Sequence, residues 1–207
     1  LPYLVGNRIT ATSVMGVMMS AIIVILSLYE MHTRAIHRHS FLTGIFKLSR
    51  SHWGMVFAHL GVAMTVFGIA MSHNFSIEKD VRMREGDSVQ ILDYNFTFKG
   101  LKITDGANYQ GGTADIEIIR NGKPEAILHA EKRFYNVSKM GMTEAAIDWG
   151  FTRDLYAALG EQLDDGSWGL RLYYKPFIRW IWLGGLFMAL GGLLCMLDKR
   201  YRIRVRE

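Results

Sequence analysis

Trp53-Gly54-Met55-Val56-Phe57-Ala58-His59-Leu60-Gly61-Val62-Ala63-Met64-Thr65-Val66-Phe67-Gly68-Ile69-Ala70-Met71-Ser72 is a run of 20 residues without Lys, Arg, Asp or Glu. As a helix it spans about 30 Å, the thickness of a bilayer's hydrocarbon core. Two further runs resemble it. Ile9 to Tyr29 has 21 residues and no charge; Phe177 to Leu197 has 21 and a single charge, Arg179. A chain of 207 residues leaves no soluble core large enough to bury three such runs. They read as transmembrane helices at about 9–29, 53–72 and 177–197. Tyr173, Tyr174, Trp180 and Trp182 crowd one end of the third run, and Tyr201 with basic residues follows the other. That is the aromatic and basic edging of a spanning helix.

The rest of the composition narrows the class. Half the residues are apolar, which excludes a disordered chain. One cysteine excludes a disulfide framework and an all-cysteine metal site. The net charge of +5 matters less than where the charges lie. Between the first two runs stand Arg34, Arg38, Lys47 and Arg50 against Glu30. After the third stand Lys199, Arg200, Arg202, Arg204 and Arg206 against Asp198 and Glu207. Basic segments close to membrane ends stay in the cytoplasm. Residues 73–176, with 13 basic and 16 acidic side chains, are therefore expected outside it, and so is the N-terminus. Arg8 is the only charge ahead of the first run, and Leu1 stands where a methionine would start a gene product. No signal-peptide pattern precedes the run, so the chain reads as a fragment of a longer membrane protein or as a trimmed one.

The division that follows is 1–72 for two helices and a basic cytoplasmic loop, 73–176 for a folded outer domain, and 177–207 for the third helix and a basic tail. Within the outer domain Tyr94, Phe96 and Phe98 alternate with Asn95, Thr97 and Lys99, and Ala114, Ile116 and Ile118 with Thr113, Asp115 and Glu117. Both are period-two patterns of half-buried strands. Arg120-Asn121-Gly122-Lys123-Pro124 then signals a hairpin, with Ala126 to Tyr135 returning. Val89 to Leu92 and Leu170 to Tyr174 read as further strands. Thr152 to Glu161 reads as a short helix capped by Thr152 and ended by Gly160. The fold class is a polytopic α-helical membrane protein with a small β-rich domain, sandwich or barrel, between its second and third helices.

His59 is the residue that points to chemistry. It lies about 9 Å beyond Trp53, within the hydrocarbon, where an ionisable group is costly. Imidazole there serves either as a ligand to iron, zinc or copper or as a hydrogen-bonding partner of a neighbouring helix. Met55, Val62, Ala63, Val66 and Ala70 share its face and leave room for a flat macrocycle or for helix packing. Gly54, Gly61 and Gly68 recur every seven residues on another face, as do Gly184 with Gly191 and Gly185 with Gly192, a pattern of close helix approach. His32, His37 and His39 read as members of a solvated basic loop, His52 and His73 as interfacial, His129 as structural, and Cys195 as a small apolar filler. The sequence holds no phosphate-binding glycine loop, no Ser-His-Asp arrangement and no nucleic-acid footprint; membrane lipid is the partner its spans require.

Several stretches are similar to a known family. Ser49-Arg50-Ser51-His52-Trp53-Gly54-Met55 leads into Ala58-His59-Leu60-Gly61. Glu78-Lys79-Asp80-Val81-Arg82-Met83, Met142-Thr143-Glu144-Ala145-Ala146-Ile147-Asp148 and Thr152-Arg153-Asp154-Leu155-Tyr156-Ala157-Ala158-Leu159-Gly160-Glu161 follow. Leu172 to Arg202 includes Tyr174-Lys175-Pro176-Phe177 and Gly191-Gly192-Leu193-Leu194-Cys195. Together these resemble the C-terminal third of the CcmF family, the large membrane subunit of the bacterial cytochrome c heme lyase. The likeness covers nearly everything from Ser49 onward; residues 1–48 fit mainly by hydropathy.

The resemblance implies a multi-pass protein of the bacterial inner membrane, with residues 73–176 periplasmic and the C-terminus cytoplasmic. It implies a b-type heme held between two transmembrane histidines, of which one matches His59 and the other lies upstream of this sequence. It implies that this heme passes electrons from quinol to heme brought by a CcmE-type chaperone, before the lyase joins that heme to the Cys-x-x-Cys-His thiols of apocytochrome c. Partner subunits of the CcmH/CcmI type follow from the same likeness. His59 would then be an axial ligand of a redox relay, and no thioether-forming residue is assigned in this sequence. A paralogue dedicated to nitrite reductase is a second reading within the family. A membrane scaffold whose outer domain docks partners, with His59 merely structural, is a third.

Overall fold

The computed structural model describes residues 9–36 and 41–198. They form two compact units, the segment Phe75–Pro176 and a set of helices. The predicted Arg8, His37, Arg38, His39 and the tail from Lys199 to Glu207 lie outside the described residues.

The helical unit contains α1 (Ala11–Ile36), α2 (Phe41–Phe46), α3 (Arg50–Phe75) and α4 (Ile178–Met196). Of these, α1, α3 and α4 are long and apolar enough to cross a membrane. The first two overrun the charge-free windows, because nothing in the flanking sequence breaks a helix where the charges begin. Glu30, His32 and Arg34, expected in a loop, therefore sit on the last turns of α1. Glu30 and Arg34 form an i,i+4 ion pair at 2.9 Å, and the His32 ring lies 5.4 Å from that of Phe41.

Two seams of small residues hold α3. Toward α4, a β-carbon on Gly54 would lie 2.5 Å from the Gly191 carbonyl oxygen, and one on Gly61 2.5 Å from that of Gly184. Gly185 and Gly192, which carry the same spacing, meet nothing within 4 Å. Toward α1, Gly16 faces Ala70, and the Ser20 hydroxyl donates to the Ala63 carbonyl at 2.9 Å. Ser13, Ser20 and Ser27, seven residues apart, are all buried, and Ser13 and Ser27 return their hydroxyls to their own helix end or turn. Such small-residue faces let backbones approach where lipid gives no hydrophobic drive. Phe177, ahead of α4, has φ 53°, uncommon for a bulky residue; its ring packs 5.1 Å from Phe67 and 5.4 Å from Trp180.

The other unit is a β-sandwich, which resolves the choice between sandwich and barrel. One sheet has the order β1 (Ile77–Met83), β9 (Trp168–Pro176), β8 (Arg153–Gln162), β7 (Ala146–Trp149). The other runs β2 (Ser88–Ile91), β3 (Tyr94–Asp105), β4 (Tyr109–Arg120), β5 (Lys123–Tyr135), β6 (Gly141–Glu144). All pairings are antiparallel. The predicted alternation supplies the core: Phe96, Phe98, Ile116 and Ile118 pack with Leu155, Leu159, Leu170 and Leu172. Asn121 and Gly122 have φ 50° and 75°, the left-handed pair of a type I′ hairpin.

The predicted helix at 152–161 is instead strand β8. Leu155, Ala157 and Leu159 point into the core while Tyr156 and Ala158 point out, so period-two burial overrides the helix propensity of Leu and Ala. Gly160, read as a helix stop, lies where the β8–β9 register shifts; a β-carbon there would stand 2.8 Å from the Gly169 carbonyl oxygen. Strands β1, β6 and β7 carry no prediction, being short or rich in charged side chains.

Candidate functional site

His59 lies on the third turn of α3, on a face that neither α1 nor α4 covers. Its Nδ1 is 2.8 Å from the carbonyl oxygen of Met55, one turn earlier. A carbonyl only accepts, so Nδ1 carries the proton and donates it. In the tautomer this bond selects, the lone pair sits on Nε2, and Nε2 has no hydrogen-bond partner among the described residues. A hydrogen bond that fixes the tautomer and leaves the other nitrogen open is the arrangement found behind metal-bound histidines.

The surroundings differ from the sequence expectation in two respects. Ala63 and Ala70 are buried in the seam with α1 and leave no room for a ligand. The face open beside His59 is formed by Met55, Val62, Val66, Ile69 and His73, spaced three and four residues apart. His73, exposed as expected, borders a groove of about 210 Å³ floored by Gly16, Val66 and Ala70.

His52 is the second difference. Expected at the interface with water in reach, it is 7% exposed, and its Nε2 has no partner among the described residues. It lies on the buried face of α3 that carries Val56, Ala63 and Ala70 toward α1, and Glu30 and Arg34 of α1 are the charges beside it. The Ser51 amide donates to Asp198 at 2.9 Å, and Cys195 fits over Gly54 with its thiol 3.5 Å from the Ser51 carbonyl. His129, as expected, is structural: its Nδ1 is 2.7 Å from Asp115.

Among the described residues no three His, Cys, Asp or Glu side chains are grouped to hold a metal ion. His59 thus offers a single open lone pair. A bare ion needs more donors, whereas a porphyrin brings four nitrogens and needs the protein only at its axial positions. The residues present fit that group.

Among the described residues, three apolar helices with a nine-stranded sandwich inserted between the last two define a polytopic membrane protein with an extramembrane β-domain. The family model "CcmF C-terminal beta-sandwich" matches residues 74–176. "Cytochrome c-type biogenesis protein CcmF" of Haemophilus influenzae is 65% identical over 99% of this chain and 32% of its own length. The Escherichia coli protein of the same name is 55% identical over 99% of the chain and 31% of its own length. "Cytochrome c-type biogenesis protein NrfE" of Haemophilus influenzae is 39% identical over 72% of the chain and 24% of its own length. The solved structure titled "Cytochrome c Heme Lyase CcmF" shares the fold, with TM-score 0.73 and 19% identity over 95% of this chain and 32% of that one. The chain belongs to the CcmF family of cytochrome c-type biogenesis proteins. It spans about a third of the length of the curated relatives it matches.

Proposed function

We propose that this chain provides one axial ligand, Nε2 of His59, to a b-type heme in the membrane part of a cytochrome c heme lyase. The observation that carries the reading is the His59–Met55 hydrogen bond, which engages Nδ1 and leaves the Nε2 lone pair open to a metal on an uncovered helix face. Met55, Val62 and Val66 flank that lone pair with apolar surface, which excludes water and favours a flat apolar ring system. The heme, when bound, supplies one-electron transfer. The second axial ligand is assigned to a histidine outside this sequence.

The relay runs from quinol to heme delivered by a CcmE-type chaperone, ahead of its attachment to apocytochrome c, with CcmH/CcmI-type subunits as partners. The higher identity to the CcmF proteins than to NrfE supports the general cytochrome c branch over a dedicated nitrite reductase paralogue. The inner membrane is the compartment, with the sandwich periplasmic and the α1–α3 connection cytoplasmic, as the charge bias favours.

A reduced-minus-oxidised visible spectrum of the purified full gene product tests the heme. A low-spin b-type signal is the expected result, and a protein free of heme after purification from heme-replete cells contradicts it. For orientation, a cysteine at Lys139 is expected to react with an impermeant thiol reagent in intact spheroplasts and one at Lys47 only after permeabilisation; the reverse pattern overturns the assignment.

A further inference from the structure

We infer that the turn Trp149-Gly150-Phe151 seats the sandwich on the phospholipid surface, with both aromatic rings in the headgroup layer. The strand register carries the argument. Strand β1 starts at Ile77 opposite Tyr174, and β9 ends at Pro176, so both connections from the sandwich to apolar helices leave from one end of it. On β8, Arg153 pairs with Pro176 and Asp154 with Lys175; on β7, Trp149 pairs with Asp154. Trp149 is therefore level with Lys175, two strand spacings or about 10 Å across the sheet. The turn that follows projects beyond Pro176, the last residue before the chain turns into α4.

At that level Trp149 is 71% and Phe151 67% exposed. The turn is fixed, since the Gly150 amide donates at 3.2 Å to Asp154, which is buried. Large, mostly exposed aromatic rings on a rigid turn mark an interaction site, and Trp and Phe are at home in the boundary between headgroups and acyl chains. The occupant follows from connectivity: the chain at this end continues into a membrane span whose own outer end is edged by aromatic residues.

The second sheet brings cations to the same end. Arg153 donates to the Tyr94 hydroxyl at 3.1 Å, the Tyr94 ring is 6.0 Å from Tyr174, and Tyr94 pairs with Arg120. The Arg120-Asn121-Gly122-Lys123 hairpin thus protrudes there too. Glu125 and Asp148 are taken up by Arg153, and Asp93 in the neighbouring turn offsets one of the two hairpin cations. The opposite end holds Ser138 in the β5–β6 turn, beyond the Lys132–Glu161 ion pair, and serves as the reference.

The test places a single cysteine at Thr152 or at Ser138 in the full gene product with Cys195→Ser, which leaves both rings intact. Each is labelled with an environment-sensitive dye and reconstituted into phosphatidylethanolamine–phosphatidylglycerol vesicles. Quenching is measured with a lipid carrying a nitroxide near its headgroup and with aqueous iodide. The dye at 152 is expected to be quenched several-fold more by the lipid nitroxide than the dye at 138, and less by iodide. Trp149→Ser with Phe151→Ser is expected to lower the lipid quenching at 152 several-fold. Equal lipid quenching at both positions overturns the inference, whether iodide reaches 152 (a turn in water) or neither quencher does (a turn covered by protein). Lipid quenching at 152 that survives loss of both rings overturns their role as the anchor.

Discussion

Gly61 and Gly184 meet backbone to backbone: a β-carbon on Gly61 would lie 2.5 Å from the carbonyl oxygen of Gly184. Gly54 and Gly191 repeat the contact two turns away, so α3 and α4 are joined by a seam that tolerates no side chain. Gly61→Val is expected to push the helices apart and destabilise the membrane part by about 1–3 kcal/mol, the usual cost of overpacking. Gly185→Ala, on the open stripe, is expected to stay within about 0.5 kcal/mol of wild type. Thermal unfolding in detergent, followed at a probe on α4, distinguishes the two; equal effects count against the seam.

Phe96 is fully buried and stands opposite Ile118 on the neighbouring strand. Truncation leaves a cavity that two pleated sheets cannot close, so Phe96→Ala is expected to cost about 3–5 kcal/mol. Ile103, on the same strand, is 84% exposed, and Ile103→Ala is expected to fall within about 0.5 kcal/mol of wild type. Protease resistance of the sandwich as a function of denaturant reads both.

Asp115 is held below the ordinary aspartate value of 3.8, first by the hydrogen bond from Lys102 at 2.6 Å; partial burial opposes this, and His129 adds to it. A carboxyl depressed in the folded state contributes stability that is complete above its unfolded value and is lost as pH falls through the folded one. The sandwich is therefore expected to lose stability as pH falls below about 4, the range in which an unfolded aspartate takes up its proton. Asp115→Asn is expected to flatten that acid limb and to cost on the order of 0.5 kcal/mol at neutral pH, since Lys102 is largely exposed. Melting curves between pH 6 and pH 3 check this, and an unchanged acid limb in the variant contradicts it.

The three spans were legible because a run free of charges is a statement about solvent, independent of tertiary contacts. The strands with clean alternation, Tyr94 to Phe98 and Ala114 to Ile118, were legible for the same reason. Strand β8 was not, because Leu155-Tyr156-Ala157-Ala158-Leu159 satisfies both periods and only the pairing with β9 decides between them. The two glycine stripes of α4 look alike in sequence; which one meets α3 depends on how the helix is rotated. His59 stood out by depth alone, whereas its open Nε2 required the Met55 carbonyl to be seen in place. The burial of His52 had no sequence signal, since it follows from how α3 is rotated against α1, which puts His52 on the same buried face as Val56, Ala63 and Ala70.

That burial makes the comparison of the two histidines the sharpest test of the heme assignment. Both rings have a nitrogen without a partner among the described residues, yet His52 is enclosed by its own chain and His59 is open. The measurement is heme content and the reduced visible spectrum of the full gene product carrying His59→Ala or His52→Leu, purified from the same heme-replete cells. The account predicts that His59→Ala loses most of its heme and the low-spin signal, while His52→Leu keeps both. Wild-type heme and an unchanged low-spin spectrum in His59→Ala, or loss of heme in His52→Leu alone, would contradict it.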